Sequence, residues 1–303
     1  MFEYLRSAFQ GTRKARSAHQ TALLNAPTLA AAMPDQGSRM LTSAIVVLMY
    51  HRVGQAHNAW ERKYCIAPEA FAAHMAALKA QGLRAVSIEH FAAWLVGGAA
   101  LPAGSILITF DDGFRGVREH ALPIMERLGW PFTVFLVSEL IGRDDIWTRD
   151  ANPAGVTYPL LDAEEILDMQ QRGVSFQSHT RSHASLPLLD DAALADQLAG
   201  SRAQLAQLLG RDVPYLAYPF GHLDRRVETA ARAAGYRAAF STQPGFNRSN
   251  VNRYRIRRLD VYGTDTPSML TRKVRLGSND GSLSHTAGYY LDRVRARLSG
   301  AVR

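Results

Sequence analysis

Residues 105–114 read SILITFDDGF. The first six, Ser105 to Phe110, are mostly apolar and uncharged, and they run straight into Asp111, Asp112 and Gly113. A short run that is apolar at successive positions and is stopped by acids and a glycine is the pattern of a strand buried on both faces. Runs of this type recur at 44–50, 84–88, 132–137, 174–178, 215–218, 237–241 and 254–261. Helical patterns separate them. PEAFAAHMAALKAQG opens at Pro68, a residue suited to a first helical turn, and ends before Gly82. In DAALADQLAGSRAQLAQLLG, Leu194, Leu198, Leu205 and Leu208 recur at helical spacing, and Gly210 marks the stop. Buried strands alternating with helices predict an α/β fold with parallel strands: an irregular (β/α) barrel of about seven strands, complete or partly open. The competing doubly wound sheet would carry a glycine-rich phosphate loop after its first strand, and none is present.

In such a barrel the active site gathers at the carboxyl ends of the strands. Several of the predicted strands end in groups that can do chemistry. LMYHRVG, residues 48–54, ends its strand at His51; the run 105–110 ends at Asp111-Asp112; the run 174–178 ends at His179, with His183 four residues on; the run 215–218 leads into Pro219-Phe220-Gly221-His222. Each feature has a plain structural alternative. An Asp pair before a turn often caps a helix, and strand-end histidines often face solvent. The i, i+4 spacing of His179 and His183 would bring both imidazoles to one face if the segment turned helically. Two imidazoles and one carboxylate make a three-ligand site for Zn²⁺ or a related divalent ion, with positions left for water and substrate. Residues 142–160 are expected as a long loop, of the kind that often carries function.

The chain has 303 residues, 47% of them hydrophobic, a net charge of +8 and one cysteine, Cys65, which excludes an intrachain disulfide. The expected organisation is a basic, poorly ordered tail over 1–40, the barrel over 41–275 and a polar, basic tail over 276–303. The N-terminal stretch has no apolar leader core and no run reaches the ~18 residues of a membrane span, so the expected location is cytoplasmic. A weak amphipathic pattern (Phe2, Leu5 and Phe9 among basic residues) allows peripheral contact with an anionic membrane surface at its inner face. No nucleic-acid-binding motif accompanies the charge, so no nucleic-acid partner is expected. Oligomeric state is open.

The segments ILITFDDGF (Ile106 to Phe114), SHTRSH (Ser178 to His183) and AYPFG (Ala217 to Gly221) resemble, in order, the three motifs of the polysaccharide deacetylase family (NodB-homology domains, carbohydrate esterase family 4). The resemblance spans roughly residues 44–262. It implies a metal-dependent hydrolase of linear amides that removes N-acetyl groups from amino sugars of a polysaccharide or its lipid-linked precursor. Asp112, His179 and His183 would hold the metal, most often Zn²⁺, with Co²⁺ or Ni²⁺ as substitutes. Asp111 would be the general base, and Tyr218, Pro219, Phe220 and Gly221 would line the substrate and oxyanion position. Two departures stand out. The arginine that orients the base in the third motif is replaced by Ala217, and the C-terminal motif that supplies the general acid is missing after Asp260. LMYHRVG resembles the N-terminal motif of a permuted branch that includes the biofilm poly-N-acetylglucosamine deacetylases, which makes His51 the expected acid, ahead of His285. Arg258 is the expected substitute for the missing arginine. Trp60, Trp147 and Phe246 are candidates to stack on sugar, and Asn247 and His222 are candidate rim groups. The competing functions are an O-acetyl esterase acting on a glycan, and a carbohydrate-binding barrel without turnover.

Overall fold

The computed structural model describes residues 44–298, with side chains described to residue 291. The tail expected over 1–40 lies outside the described residues. Among the described residues there are ten strands: β1 Val46–Tyr50, β2 Arg52–Val53, β3 Cys65–Ile66, β4 Arg84–Ala85, β5 Ser105–Phe110, β6 Thr133–Leu136, β7 Ser175–Ser178, β8 Tyr215–Ala217, β9 Ala238–Phe240 and β10 Leu259–Asp260. The main sheet runs β10-β1-β5-β6-β7-β8-β9, all parallel, and β4 pairs with the start of β5. β2 and β3 form a small ribbon of their own. The described helices are α1 Pro68–Ala80, α2 Ile88–Leu95, α3 Leu122–Leu128, α4 Ala163–Gln171, α5 Asp191–Ala195, α6 Ser201–Leu209, α7 Arg225–Ala233, α8 Pro267–Leu276 and α9 Leu283–Leu298. The result is the irregular (β/α) barrel expected from the alternation of buried strands and helices.

Side-chain alternation along the strands sorts the core into two layers. Val47, Leu107, Phe135, Ala217 and Phe240 pack inside the sheet's curve with Ile256, and α2 adds Ile88, Phe91 and Leu95 to that cluster. Leu48, Ile106, Ile108, Val134 and Phe176 face outward beneath α1, α3, α4, α6 and α8. Both layers are buried, which is why the strands read as continuous apolar runs.

Most strands are trimmed by one or two residues at their ends, and two of the expected runs pair over only two residues. In 84–88 only Arg84–Ala85 pairs, because the Ser87 side chain accepts a hydrogen bond from the His90 N–H and caps α2, so Ile88 is already helical. In 254–261 only Leu259–Asp260 forms a strand, because this segment crosses from one edge of the sheet to the other. Ile256 bridges Phe240 of β9, and three residues later Leu259 pairs with Leu48 of β1. The leucine-spaced helix is present as α5 and α6 joined by a π-helical turn, Asp196–Gly200, and Gly210 ends it at φ +64°. Within the segment 276–303, expected as a polar tail, Leu283–Leu298 forms α9. Among the described residues no helix is long and apolar enough to cross a membrane.

Candidate active site

On β5, Leu107 packs in the inner cluster and the Thr109 hydroxyl donates to Leu48 O at 2.8 Å, so the next inward position is Asp111. Its backbone N–H still bonds Tyr50 O of β1 at 2.9 Å. The chain then turns at once: Asp112 has φ +72° and Gly113 φ +83°. At the φ of Gly113 a side chain would be strained, and a Cβ would also meet Leu136 Cδ2 at 2.7 Å, so the turn favours glycine. Neither acid caps a helix, since the next helical turn, Val117–Ala121, begins after Gly116. Both carboxylates are buried in the same cavity but face different partners.

Asp111 meets Arg258, which is fully buried. Arg258 Nη1 and Nη2 donate to Asp111 Oδ1 and Oδ2 at 2.6 and 2.8 Å, a two-pronged fork, and Nε donates to Ser241 O at 3.0 Å. Burial alone would raise the Asp111 carboxyl, but the guanidinium, with help from His179 and His51, outweighs it and holds the carboxyl at about 2. Asp111 is thus ionised with its geometry fixed from behind. The side chain at Ala217, the position expected to lack the motif's arginine, ends at Cβ, and Arg258 reaches Asp111 from the crossover between β9 and β10.

Asp112 faces the two histidines. Its Oδ1 lies 3.5 Å from His179 Nε2 and 3.3 Å from His183 Nε2. The ligand atoms of these three residues all fall within 4.8 Å of one another. His179 Nδ1 is 2.8 Å from Ala217 O, and since a carbonyl only accepts, Nδ1 carries the proton and Nε2 turns its lone pair to the cluster. Asp112 Oδ1 and His183 Nδ1 are buried with no hydrogen-bond partner. Burial, then the charges of Asp111 and Asp145, raise Asp112 well above the usual carboxylate range. Burial lowers His179 to about 4 and His183 well below its ordinary value, which keeps both imidazoles in the neutral form that ligates. Ligands about 2.0–2.2 Å from a tetrahedral cation stand roughly 3.3–3.5 Å apart. The separations and the orphaned carboxylate oxygen therefore fit a divalent metal. The convergence does not come from a helical turn, as the i, i+4 spacing suggested. Residues 179–183 are an irregular loop, with Thr180 at φ +69° and His183 at φ +62° folding the chain back on itself.

His51 lines the same cavity as this cluster, its ring 5.0 Å from Tyr64. Desolvation lowers its imidazole below the ordinary value, while Asp111 and Asp260 pull it back towards the protonated form. His285, the other candidate acid, sits on α9 near Asp280 at 3.9 Å and is not among the cavity residues. The cavity holds ≈ 380 Å³. Trp147 stacks on His183 at 4.5 Å, and Phe220, half-exposed at φ +58°, meets the same ring edge-on at 4.5 Å. Trp60 and Tyr218 also line it, and the Tyr218 hydroxyl is buried without a partner. Pro219 and Gly221 complete a tight turn, and at Gly221 a Cβ would overlap Thr242 Oγ1 at 2.0 Å. Three candidates lie elsewhere. Phe246 packs on the outer core, Asn247 is buried and hydrogen-bonds the backbone of Arg257 and Ile45, and His222 pairs with Ser185. Asp260, Asp145 and the loop-binding Glu61 also line the cavity, and they carry no motif that would single them out in the sequence.

Residues 98–239 match the profile of the polysaccharide deacetylase family. The chain contains a polysaccharide deacetylase domain. The poly-beta-1,6-N-acetyl-D-glucosamine N-deacetylase of Staphylococcus aureus (strain MRSA252) is 21% identical over 246 residues, covering 75% of this chain and 81% of its own. Among solved structures, IcaB from Ammonifex degensii is 26% identical with a TM-score of 0.65, covering 78% of this chain and 97% of its own. The Streptococcus pyogenes deacetylase PplD shares the fold, with a TM-score of 0.66 at 20% identity over 76% of this chain and 98% of its own. The match to the family profile takes in β5, β6, β7 and β8 and so contains Asp111, Asp112, His179 and His183, whereas His51 and Arg258 lie outside it on either side.

Proposed function

We propose that this polysaccharide deacetylase domain hydrolyses the acetamido group of amino sugars in a polysaccharide or its lipid-linked precursor, releasing acetate and a free amine. The observation that carries the reading is the placement of an arginine-clamped carboxylate, Asp111, beside a second carboxylate whose partners are two neutral imidazoles. Asp112 Oδ1, His179 Nε2 and His183 Nε2 would hold a divalent cation, Zn²⁺ in this reading with Co²⁺ or Ni²⁺ as substitutes. Such an ion lowers the pKa of water and polarises an acetyl carbonyl.

The chain's own groups supply the proton transfers. Asp111, kept ionised by Arg258, takes the proton of the attacking water as its oxygen bonds the acetyl carbon. The C–N bond then breaks, and an amine leaves readily only when protonated. His51, which lines the same cavity, gives its proton to that nitrogen; desolvation holds its imidazole below the ordinary value, and the charges of Asp111 and Asp260 oppose that shift only in part. Backbone at the Pro219–Gly221 turn, between Tyr218 and Thr242, borders the position of the developing oxyanion. The named activity of the Staphylococcus aureus relative supports an N-acetyl over an O-acetyl target. Acetate release from N-acetylated and O-acetylated oligosaccharides, each with and without added Zn²⁺ or Co²⁺, tests the reading. Metal-dependent release from the N-acetylated substrate is expected; release from the ester alone would replace it with the esterase, and release from neither would leave a binding protein.

A further inference from the structure

A second cavity of ≈ 390 Å³ lies on the crossover between β9 and β10, where no helix intervenes in the chain. The crossover is unusual in composition: residues 243–258, QPGFNRSNVNRYRIRR, hold five arginines and no acid. One of the five, Arg258, is committed to Asp111 in the interior. Arg248, Arg255 and Arg257 line the cavity together with Gln243 and Asn250. Phe246 and Arg248, on either side of Asn247, place one wall of it towards the amino end of β1, while Gln243 follows Thr242 of the catalytic cavity and Arg257 precedes Arg258. Asn247 pairs with Ile45, just before β1 begins, and bonds the Arg257 backbone. His51 is six residues further along β1, a rise of about 20 Å at ~3.3 Å per residue.

The arginines are arranged rather than merely clustered. Glu228 of α7 pairs with Arg255 Nε and accepts from Asn252 Nδ2 at 2.9 Å, which pins one wall. Arg257 lies across Gly245, whose φ of +144° and missing Cβ leave room for its stem, and its Nη1 donates to Pro244 O at 3.1 Å. Arg248 is exposed, and its guanidinium has no hydrogen-bond or ion-pair partner among the described residues. Glu228 offsets one of the three cavity charges and leaves two positive charges uncompensated around a concave surface with free amide donors. Guanidinium forks match phosphate oxygens in shape and charge.

We propose that this cleft binds a phosphate group, as a monoester or diester, in a cavity separate from the deacetylase site. The ligand is either a soluble phosphate ester or the headgroup of an anionic lipid. In the test, full-length protein carrying ¹⁵N-labelled arginine is titrated with inorganic phosphate and with glycerol 3-phosphate, following the arginine Nε–H signals. Sedimentation with phosphatidylglycerol and phosphatidylcholine vesicles runs in parallel, for wild type and the double variant Arg248→Gln/Arg257→Gln. Both substituted side chains are exposed, so acetate release from a soluble acetylated oligosaccharide should be unchanged. Phosphate should shift arginine signals in wild type, and the double variant should bind it about tenfold more weakly, as expected for losing one or two charge-assisted pairs. Phosphatidylglycerol binding that falls with the same substitutions assigns the phosphate to a lipid; phosphate binding without that fall assigns it to a soluble ester. Phosphate affinity that is equal in both proteins, or arginine signals that do not move, overturns the proposal.

Discussion

At the scale of single residues, the division of labour between His51 and the metal cluster makes a sharp distinction possible. His51 is not among the residues whose ligand atoms converge. His51→Ala should therefore lower kcat by about 10²–10⁴-fold, the usual worth of a positioned general acid, while bound metal, measured by elemental analysis, stays at the wild-type level. Metal lost together with activity would make His51 a ligand instead. Arg258 gives the complementary case. Arg258→Met leaves Asp111 buried without its counter-charge, which costs about 3–5 kcal/mol for a broken buried pair, so both turnover and thermal stability should fall while metal is retained. Arg258→Lys should rescue stability in part but not turnover, because an ammonium cannot reproduce the two-pronged geometry. Wild-type turnover in Arg258→Met would remove Arg258 from the site. Asp111, Asp112, His179 and His183 were legible because strand-end positions in a parallel barrel are informative and their motifs are specific. Their spatial arrangement was not, since it depends on left-handed backbone at Asp112, Thr180 and His183 that no spacing rule encodes.

At the scale of elements, the loop after β2 and the loop after β6 are joined by one carboxylate. Glu61 Oε1 accepts from Asn58 Nδ2, Asn152 Nδ2 and the Tyr158 hydroxyl at 3.1, 3.1 and 2.8 Å, and Oε2 from Arg52 Nη2 and the His57 N–H at 2.7 and 2.9 Å. Arg52 also lies over the Tyr158 ring at 3.5 Å. Burial alone would raise Glu61, but the hydrogen bonds from His57, Tyr158 and Asn152 and the charge of Arg52 outweigh it, so its folded value lies below 4.5. The sign follows: the stabilisation is complete above the unfolded value and drains away as pH falls through the lower folded one. Tryptophan emission, which includes cavity residues Trp60 and Trp147, should change as pH drops below about 4.5 in wild type, and this component should be missing in Glu61→Gln. That variant leaves buried donors facing an amide and should lose about 1–3 kcal/mol. A Glu61→Gln acid profile identical to wild type would mean that other carboxylates govern the loops. Strands such as Ser105–Phe110 were read from their unbroken apolar runs. The clasp was invisible because its polar partners are scattered over a hundred residues with no shared motif, and β10 was overread because a segment spanning two sheet edges is paired only where it touches each one.

For the whole molecule, the decisive geometric fact is that the metal-type cluster joins strands that are not neighbours. Asp112 follows β5, while His179 and His183 follow β7, with β6 between them. The unfolded chain separates these residues by more than sixty positions and has no preformed site, so binding free energy adds to folding free energy. At free Zn²⁺ about 1,000-fold above Kd, linkage supplies about 4 kcal/mol, which for a domain of this size is worth about 8–16 °C in Tm. Chelation should reverse the shift in differential scanning calorimetry. The control has to respect the backbone: His183→Asn removes the imidazole yet tolerates the left-handed conformation at φ +62° better than alanine would. The metal-dependent shift should be lost in that variant while its metal-free Tm stays near that of metal-free wild type. A full shift surviving in His183→Asn would place the bound ion elsewhere, and a wild type indifferent to both Zn²⁺ and chelator would mean that Asp112, His179 and His183 converge without holding a cation, leaving Asp111 and His51 to account for any hydrolysis alone.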